Sequence, residues 1–291
     1  MRIITKKKGN KDYCYLQHSY RKGKKVITKE KYLGLEVPKN IDEIKGDFSR
    51  ELKKDLYKKL EKIKTHFQRE WKRIPKSVQD KEKEQISIAF TYNSNAIEGS
   101  TITLNEVREI IQDKIAPNKP IRDIKETEVH NKVFLEILNK KEKISNELLL
   151  GWHNDIFGET KPEIAGKYRN YLVRVGSYIA PHWNEIKLTM NQIIEFVNKS
   201  KLNPVELAAR AHYKFESIHP FGDGNGRIGR LLMNYILWHA DYPMLIIEYK
   251  KRKSYYDAFP KGQEAFVDYF IKRYLAVHKK RLKLSKKSVS F

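Results

Sequence analysis

The chain has 291 residues, with 59 Lys and Arg against 36 Asp and Glu, a formal net charge of +23 and a single cysteine, Cys14. One cysteine excludes an intrachain disulfide and any cysteine-built metal site. The length suffices to bury a sizeable core in one large domain with a small appendage. No signal-peptide core and no long apolar run is found, so a soluble cytoplasmic protein with no membrane partner is expected. The charge gathers at the ends: residues 1–40 carry twelve Lys/Arg against three acids, and residues 279–291 carry six against none. Such ends suit nucleic acid. A solvated lysine-rich surface explains them equally, and that plainer account is favoured.

Residues 1–40 read as a small basic β-hairpin appendage. Tyr13 to Tyr20 and Val26 to Leu33 are two strands around a turn at Arg21-Lys22-Gly23-Lys24-Lys25. Its role is open between docking site, nucleic-acid contact and cover for an edge. Residues 41–85 are a charged helical linker, with Leu52, Leu56, Leu60 and Ile63 as a stripe up to about Trp71 and a break at Pro75. The main domain spans 86–278, and 279–291 is a basic tail. Within it, Ile86, Ile88, Ala89, Tyr92, Asn93, Ala96 and Ile97 define a helix running into Glu98-Gly99. Thr103 with Glu106 forms a capping box for a helix over 104–111. Further helices follow from Ile121 to Leu138 and from Ser145. His130, His153 and His212 lie on helical faces without metal-ligand spacing and read as structural. Tyr171 to Val175 and Tyr178 to Ala180, around Gly176-Ser177, read as a hairpin.

The chemistry concentrates in one loop. Asn203-Pro204 is an N-cap and first turn for a helix through Ile218, and Leu231 to Trp238 keeps a second helix. Between them runs His219-Pro220-Phe221-Gly222-Asp223-Gly224-Asn225-Gly226-Arg227-Ile228-Gly229-Arg230. A glycine-rich turn emptying onto a helix N-terminus is a phosphate cradle. Arg227 and Arg230, three apart, can hold phosphate oxygens from one face. Asp223 offers a hard oxygen to a magnesium ion that keeps most of its waters. His219 is placed to take a proton from an incoming hydroxyl. Together these imply magnesium-assisted transfer of a phosphate-containing group. A dinucleotide fingerprint is excluded because a helix, not a strand, precedes the glycines. An EF-hand is excluded because Arg227 stands where an oxygen ligand belongs. A plain interhelical turn does not account for two arginines and an aspartate beside a histidine.

His219 to Arg230 resembles the Fic family signature HPFx[D/E]GNGRxxR, with every specified position filled. The resemblance covers roughly residues 86–275. It implies a mainly α fold, a helical bundle with a short β-hairpin flap, and transfer of AMP from ATP to a Ser, Thr or Tyr hydroxyl of a protein. Carried over, His219 is the general base and Asp223 the Mg2+ ligand. Gly224, Asn225 and Gly226 form the phosphate hole, and Arg227 and Arg230 hold the nucleotide phosphates. Relatives that act as kinases carry a lysine where Gly226 stands, and Gly226 leaves room for a triphosphate tail. Ser94-Asn95-Ala96-Ile97-Glu98-Gly99 resembles the family's inhibitory pattern [S/T]xxxE[G/N]. It implies that Ser94, Glu98 and Gly99 belong to an inhibitory helix around 86–99, with Glu98 paired to Arg230; in some relatives this glutamate also serves AMP removal. The flap, Arg174, Val175, Gly176, Ser177, Tyr178 and Ile179, is expected to register the target by β-augmentation. Lys253 to Asp257 opens a helix continuing through Phe259 and Gln263, on which Tyr256 and Gln263 are candidates to frame the adenine; both tyrosines at 255–256 also suit a core. Partners are then ATP and a protein with an accessible hydroxyl, the chain itself included. A homo-oligomer is compatible with the sequence. The alternative is a nucleotide-sensing or nucleic-acid-binding regulator without catalysis, which would not need His219.

Overall fold

A Gly-Asn pair turns the chain back on itself within its first ten residues. The structure, a computed structural model, describes residues 1–22, 25–176 and 178–283; the expected turn at Gly23-Lys24, flap residue Ser177 and the tail from residue 284 lie outside them. Gly9 takes φ +65°, and β1 (Arg2–Lys8) runs antiparallel to β2 (Lys11–Lys22) with Lys8 opposite Lys11. The other edge of β2 pairs with β3 (Lys25–Gly34), in the order β1-β2-β3. The appendage is therefore a three-stranded sheet, where two strands were expected. The first strand ends in Lys6-Lys7-Lys8, whose polarity masks its alternation, while the turn dipeptide that follows does signal a hairpin. Leu16 is fully buried on one face, and Tyr13 and Tyr15 gather around Tyr32 on the other.

The chain divides into two compact units, Met1–Lys59 and Leu60–Phe291. The single helix expected over 41–71 is two, α1 (Ile41–Leu52) and α2 (Lys54–Arg73), parted at Lys53, whose φ −91°, ψ 0° is not helical. Pro75 does end this stretch and caps α3 (Lys76–Ile97). α3 begins ten residues before the expected start. Its first turns are polar apart from the exposed Val78, but Lys, Glu and Gln are good helix formers.

The second unit continues with α4 (Leu104–Arg108), opened by the Thr103–Glu106 capping box and followed by a π-turn over Glu109–Asp113. Then come α5 (Ile121–Asn139), α6 (Asn146–Phe157) capped by Ser145, and a hairpin of two-residue strands, β4 (Arg174–Val175) and β5 (Tyr178–Ile179). The strands are shorter than expected. α7 (Ile186–Lys199), α8 (Pro204–Ile218) capped by Asn203, and α9 (Asn225–His239) follow. The helix expected through Phe259 and Gln263 is interrupted: α10 (Arg252–Tyr256) stops, Gly262 turns the chain at φ +88°, and α11 (Gln263–Val277) starts anew before α12 (Lys279–Lys283). Pro260 supplies the reason, since it disfavours helical geometry at Phe259.

The centre of this unit is α9, buried on every side from Asn225 to Leu237. A helix with no solvated face must be surrounded. α8 packs along it, with α11 on α8, while α3 and α5 pack on each other and both reach α9. Among the described residues no helix is long and apolar enough to cross a membrane. Leu232 is fully buried in α9. Leu232→Ala is expected to destabilise the protein by about 2–5 kcal/mol, measured by chemical denaturation, because the surrounding helices cannot all collapse onto the void.

Candidate active site

α8 ends at His219, whose left-handed backbone (φ 50°, ψ 61°) turns the chain out of the helix while its N–H still donates to Phe215 O at 3.0 Å. The loop that follows is braced by three groups that need no chemistry of their own. Asn225 closes it on itself: its Oδ1 accepts from Phe221 N at 2.8 Å and its Nδ2 donates to Phe221 O at 2.9 Å. Arg169 is buried and donates to the carbonyls of His219 (2.8 Å), Tyr171 (2.6 Å) and Pro181 (2.7 Å). His153 accepts from Gly166 N through Nδ1, so Nε2 carries the proton and donates to Asp223 O at 3.0 Å. Burial pushes the His153 imidazole down to about 4, which keeps it neutral in that role. Burial also lowers His219 from its ordinary value, with Glu216 main chain and the Glu98 charge opposing it. At neutral pH His219 therefore has a lone pair free to accept a proton.

α9 starts immediately beyond, and the first N–H groups of a helix have no carbonyl partner within it. Ile228 N is the first to reach back, to Gly224 O. Gly224 takes φ +75° with the Phe157 ring where a Cβ would stand. Above Gly226 there is no space for a Cβ at all, because Glu98 Oε1 and Arg230 Nη1 occupy it. Glu98, at the C-terminus of α3, accepts from Arg230 Nη2 at 2.8 Å. Ser94 holds the same guanidinium twice, accepting from Nε at its Oγ (3.0 Å) and from Nη2 at its carbonyl (2.9 Å). Gly99, at φ +94°, lets the chain leave α3 directly after Glu98. Arg230 is fully buried, and although burial disfavours its charge, Glu98 holds the guanidinium firmly protonated.

A second charged group lies beside the first. Arg227, mostly buried, donates to Glu126 Oε2 at 2.5 Å and stacks on Phe157. Lys161 Nζ lies 2.9 Å from Glu126 Oε1 and 2.7 Å from Asp223 Oδ2. Burial would raise both carboxyls, but Arg227 and Lys161 outweigh it and keep Glu126 and Asp223 ionised. Asp223, Arg227, Glu126, Lys161 and Glu98 line one cleft of about 230 Å³.

A neutral imidazole opening the loop, a helix N-terminus, two buried arginines and an ionised aspartate within one loop and one helical turn are the parts of a phosphoryl-handling site. Residues 143–237 match the Fic/DOC family. That segment resembles a Fic domain. It is 36% identical over 189 residues to "Protein adenylyltransferase Fic" of Nematostella vectensis, covering 62% of this chain and 44% of that protein. The same name belongs to a Culex quinquefasciatus protein 34% identical over 198 residues, covering 64% and 39%. The chain thus spans less than half the length of these relatives. In three dimensions it is similar to Fic-1 (residues 134–508) of C. elegans, with a TM-score of 0.68, 26% identity, and 84% and 76% of the two chains covered. A Fic-domain signalling protein of Bacteroides thetaiotaomicron shares the fold at a TM-score of 0.66 and 24% identity, with 77% and 96% covered.

The Fic fold brings most of the expected residues together. Tyr178, in the hairpin, donates its hydroxyl to Ser217 O at 3.0 Å, two residues before His219, while Val175, Tyr178 and Ile179 expose their side chains. Arg174 pairs with Ile179, and Gly176 turns at φ +60°. Tyr256 donates to Ile97 O at 3.2 Å, against the end of the Glu98 helix, whereas Tyr255 is buried on His212 (2.7 Å). Gln263 heads α11 beyond the Gly262 turn. Asn225 faces its own loop backbone with its side chain, so any contribution to an anion comes from its amide N–H. Sequence reasoning missed Glu126, Lys161 and Arg169, which lie outside the signature; a charged residue inside the apolar pattern of α5 was the available signal for Glu126.

Behind Arg230, Glu216 Oε1 is buried without a hydrogen-bond partner, 4.0 Å from His212 Nδ1. Burial raises this carboxyl from 4.5 to about 8, with Arg230 opposing and Glu98 adding to the shift. The folded protein thus keeps a proton that the unfolded chain releases above about pH 4.5. Stability from this group is complete below that pH and is lost as pH rises through about 8. Glu216→Gln should remove that loss: relative to wild type the variant gains stability between pH 5 and pH 8 in denaturant titrations. An equal difference at both pH values would count against it.

Proposed function

We propose that the protein is an adenylyltransferase that moves AMP from ATP to a Ser, Thr or Tyr hydroxyl of a protein, its own hydroxyls included, and that Glu98 restrains it. The observation that carries this reading is the Glu98 carboxylate seated on Arg230 directly over Gly226, at the N-terminus of the helix that the Fic signature opens. The names of the relatives support the reaction class.

In the transfer, neutral His219 accepts the proton of the attacking hydroxyl. The hydroxyl oxygen bonds to the α-phosphorus as the bond to the bridging oxygen breaks, and pyrophosphate leaves. The first-turn amides of α9, with Arg227 and Arg230, neutralise charge on the phosphates. Mg2+ fits Asp223: its carboxylate is ionised, half-exposed and faces the cleft. Among the described residues no group of three His, Cys, Asp or Glu could hold a metal alone, as suits an ion that draws its remaining ligands from phosphate and water. Bound there, the ion would draw charge from the phosphates. The exposed edge of the β4–β5 hairpin, fastened by Tyr178 next to His219, would align an extended target segment.

Restraint follows from charge. Glu98 neutralises Arg230 and puts a negative oxygen where a triphosphate tail would lie. ATP held around it does not present its α-phosphorus in line. Glu98→Gly should therefore raise transfer while leaving the Ser94 contacts to Arg230 in place. Intact-protein mass spectrometry after incubation with ATP and magnesium, repeated on a lysate with labelled ATP, is the measurement. Glu98→Gly is expected to gain AMP adducts that wild type forms weakly, and adding His219→Ala should lower the rate by about 10²–10⁴-fold. Adducts at the same rate without His219, or none on any protein in the lysate, would sink the proposal.

A further inference from the structure

Lys161 occupies a seat that a bridging cation would take. It follows α6 in the stretch leading to the hairpin, and its ammonium makes close contacts to one oxygen of Asp223 and one of Glu126, at 2.7 and 2.9 Å. The side chain is only 16% exposed, and its head lies 5.0 Å from the centre of the Phe157 ring. The second Asp223 oxygen accepts from Gly224 N at 2.5 Å, with Arg227 Nη2 3.7 Å away. Lys161 and Arg227 thus balance Asp223 and Glu126, and the cluster is neutral without any added ion. A divalent cation arriving alone would have to expel the ammonium or lie beside it, and like charges at such separations in a partly dry cleft repel strongly. A nucleotide changes the balance. Its phosphates bring several negative charges to the same cleft, give Lys161 and Arg227 other oxygens to bind, and release the Asp223 carboxylate.

We propose that Lys161 holds the cation seat between Asp223 and Glu126 while nucleotide is absent, so that Asp223 accepts a divalent metal only together with nucleotide phosphates. Lys161 is a positioning residue in this scheme. It keeps Asp223 ionised and aimed into the cleft, and it couples metal entry to nucleotide entry. The inference rests on the assignment of Asp223 as the metal ligand.

The test uses Mn2+ as the probe and reads the free-ion signal by electron paramagnetic resonance, with no turnover involved. The full chain, Lys161→Met, Lys161→Arg, Asp223→Asn, and Lys161→Met with Asp223→Asn are titrated without nucleotide and with a non-hydrolysable ATP analogue. Without nucleotide, Lys161→Met should bind Mn2+ at least about tenfold more tightly than wild type, a modest gain beside the repulsion removed. Lys161→Arg, which keeps the charge, should resemble wild type, and the double variant should lose the gain. Thermal melting checks that each variant is folded, and Lys161→Gln replaces the methionine variant if that one is not. Wild type binding Mn2+ alone as tightly as Lys161→Met would overturn the proposal, as would a gain that survives Asp223→Asn. If Asp223→Asn does not weaken Mn2+ binding with the analogue present, the metal assignment beneath it fails instead.

Discussion

The buried guanidinium of Arg230 is the constraint from which the arrangement of the site follows. A cation taken out of water is tolerable only where hydrogen bonds and negative charge surround it. α9, which carries it, is the central helix, and Arg230 itself is fully buried on it. Partners must come from a neighbouring element, and the last turn of α3 supplies Ser94 and Glu98. That pairing fixes where α3 ends relative to where α9 begins. It also sets the Glu98 carboxylate over Gly226. One interaction thus serves both the satisfaction of Arg230 and the proposed restraint, since the group that satisfies Arg230 is an anion in the place the proposal gives to an anionic substrate.

Around that contact, the residues suited to chemistry are held by residues that have none to perform. His219 leaves α8 in a left-handed conformation, and Arg169 gathers the carbonyls of His219, Tyr171 and Pro181. The signature loop and the base of the hairpin are therefore fastened by the same side chain. Asn225 and His153 clamp the loop from within and from α6. Because these braces use main-chain carbonyls and amides, they leave the imidazole of His219 and the carboxylate of Asp223 to make other contacts. The charge pattern follows the same economy. Glu126 and Lys161 neutralise Asp223 and Arg227 in the absence of ligand, and in the proposed scheme an incoming polyanion would redistribute those pairs.

The sequence by itself determined the signature loop, the helices on either side of it and their caps. Asn203-Pro204, Ser145 and the Thr103–Glu106 box are local chemistry, satisfied within a few residues, and they open helices where they were expected. The glycine, asparagine and arginine spacing from His219 to Arg230 is likewise local, since one loop and one helical turn bring those groups together. Glu98 was legible through a short pattern, and its partner through charge. What only the tertiary structure decided was which faces meet. Glu126 lies 101 residues before Arg227, and Lys161 lies 62 residues before Asp223. Helical periodicity shows that a face is buried without showing what it is buried against. The first strand of the N-terminal sheet and the break after Tyr256 were missed for a related reason. Pairing to a neighbouring strand can hold a polar segment extended, and a proline after Phe259 outweighs a continuing apolar pattern. Short-range preferences are written in neighbouring side chains, whereas the partners of buried charges are chosen by packing.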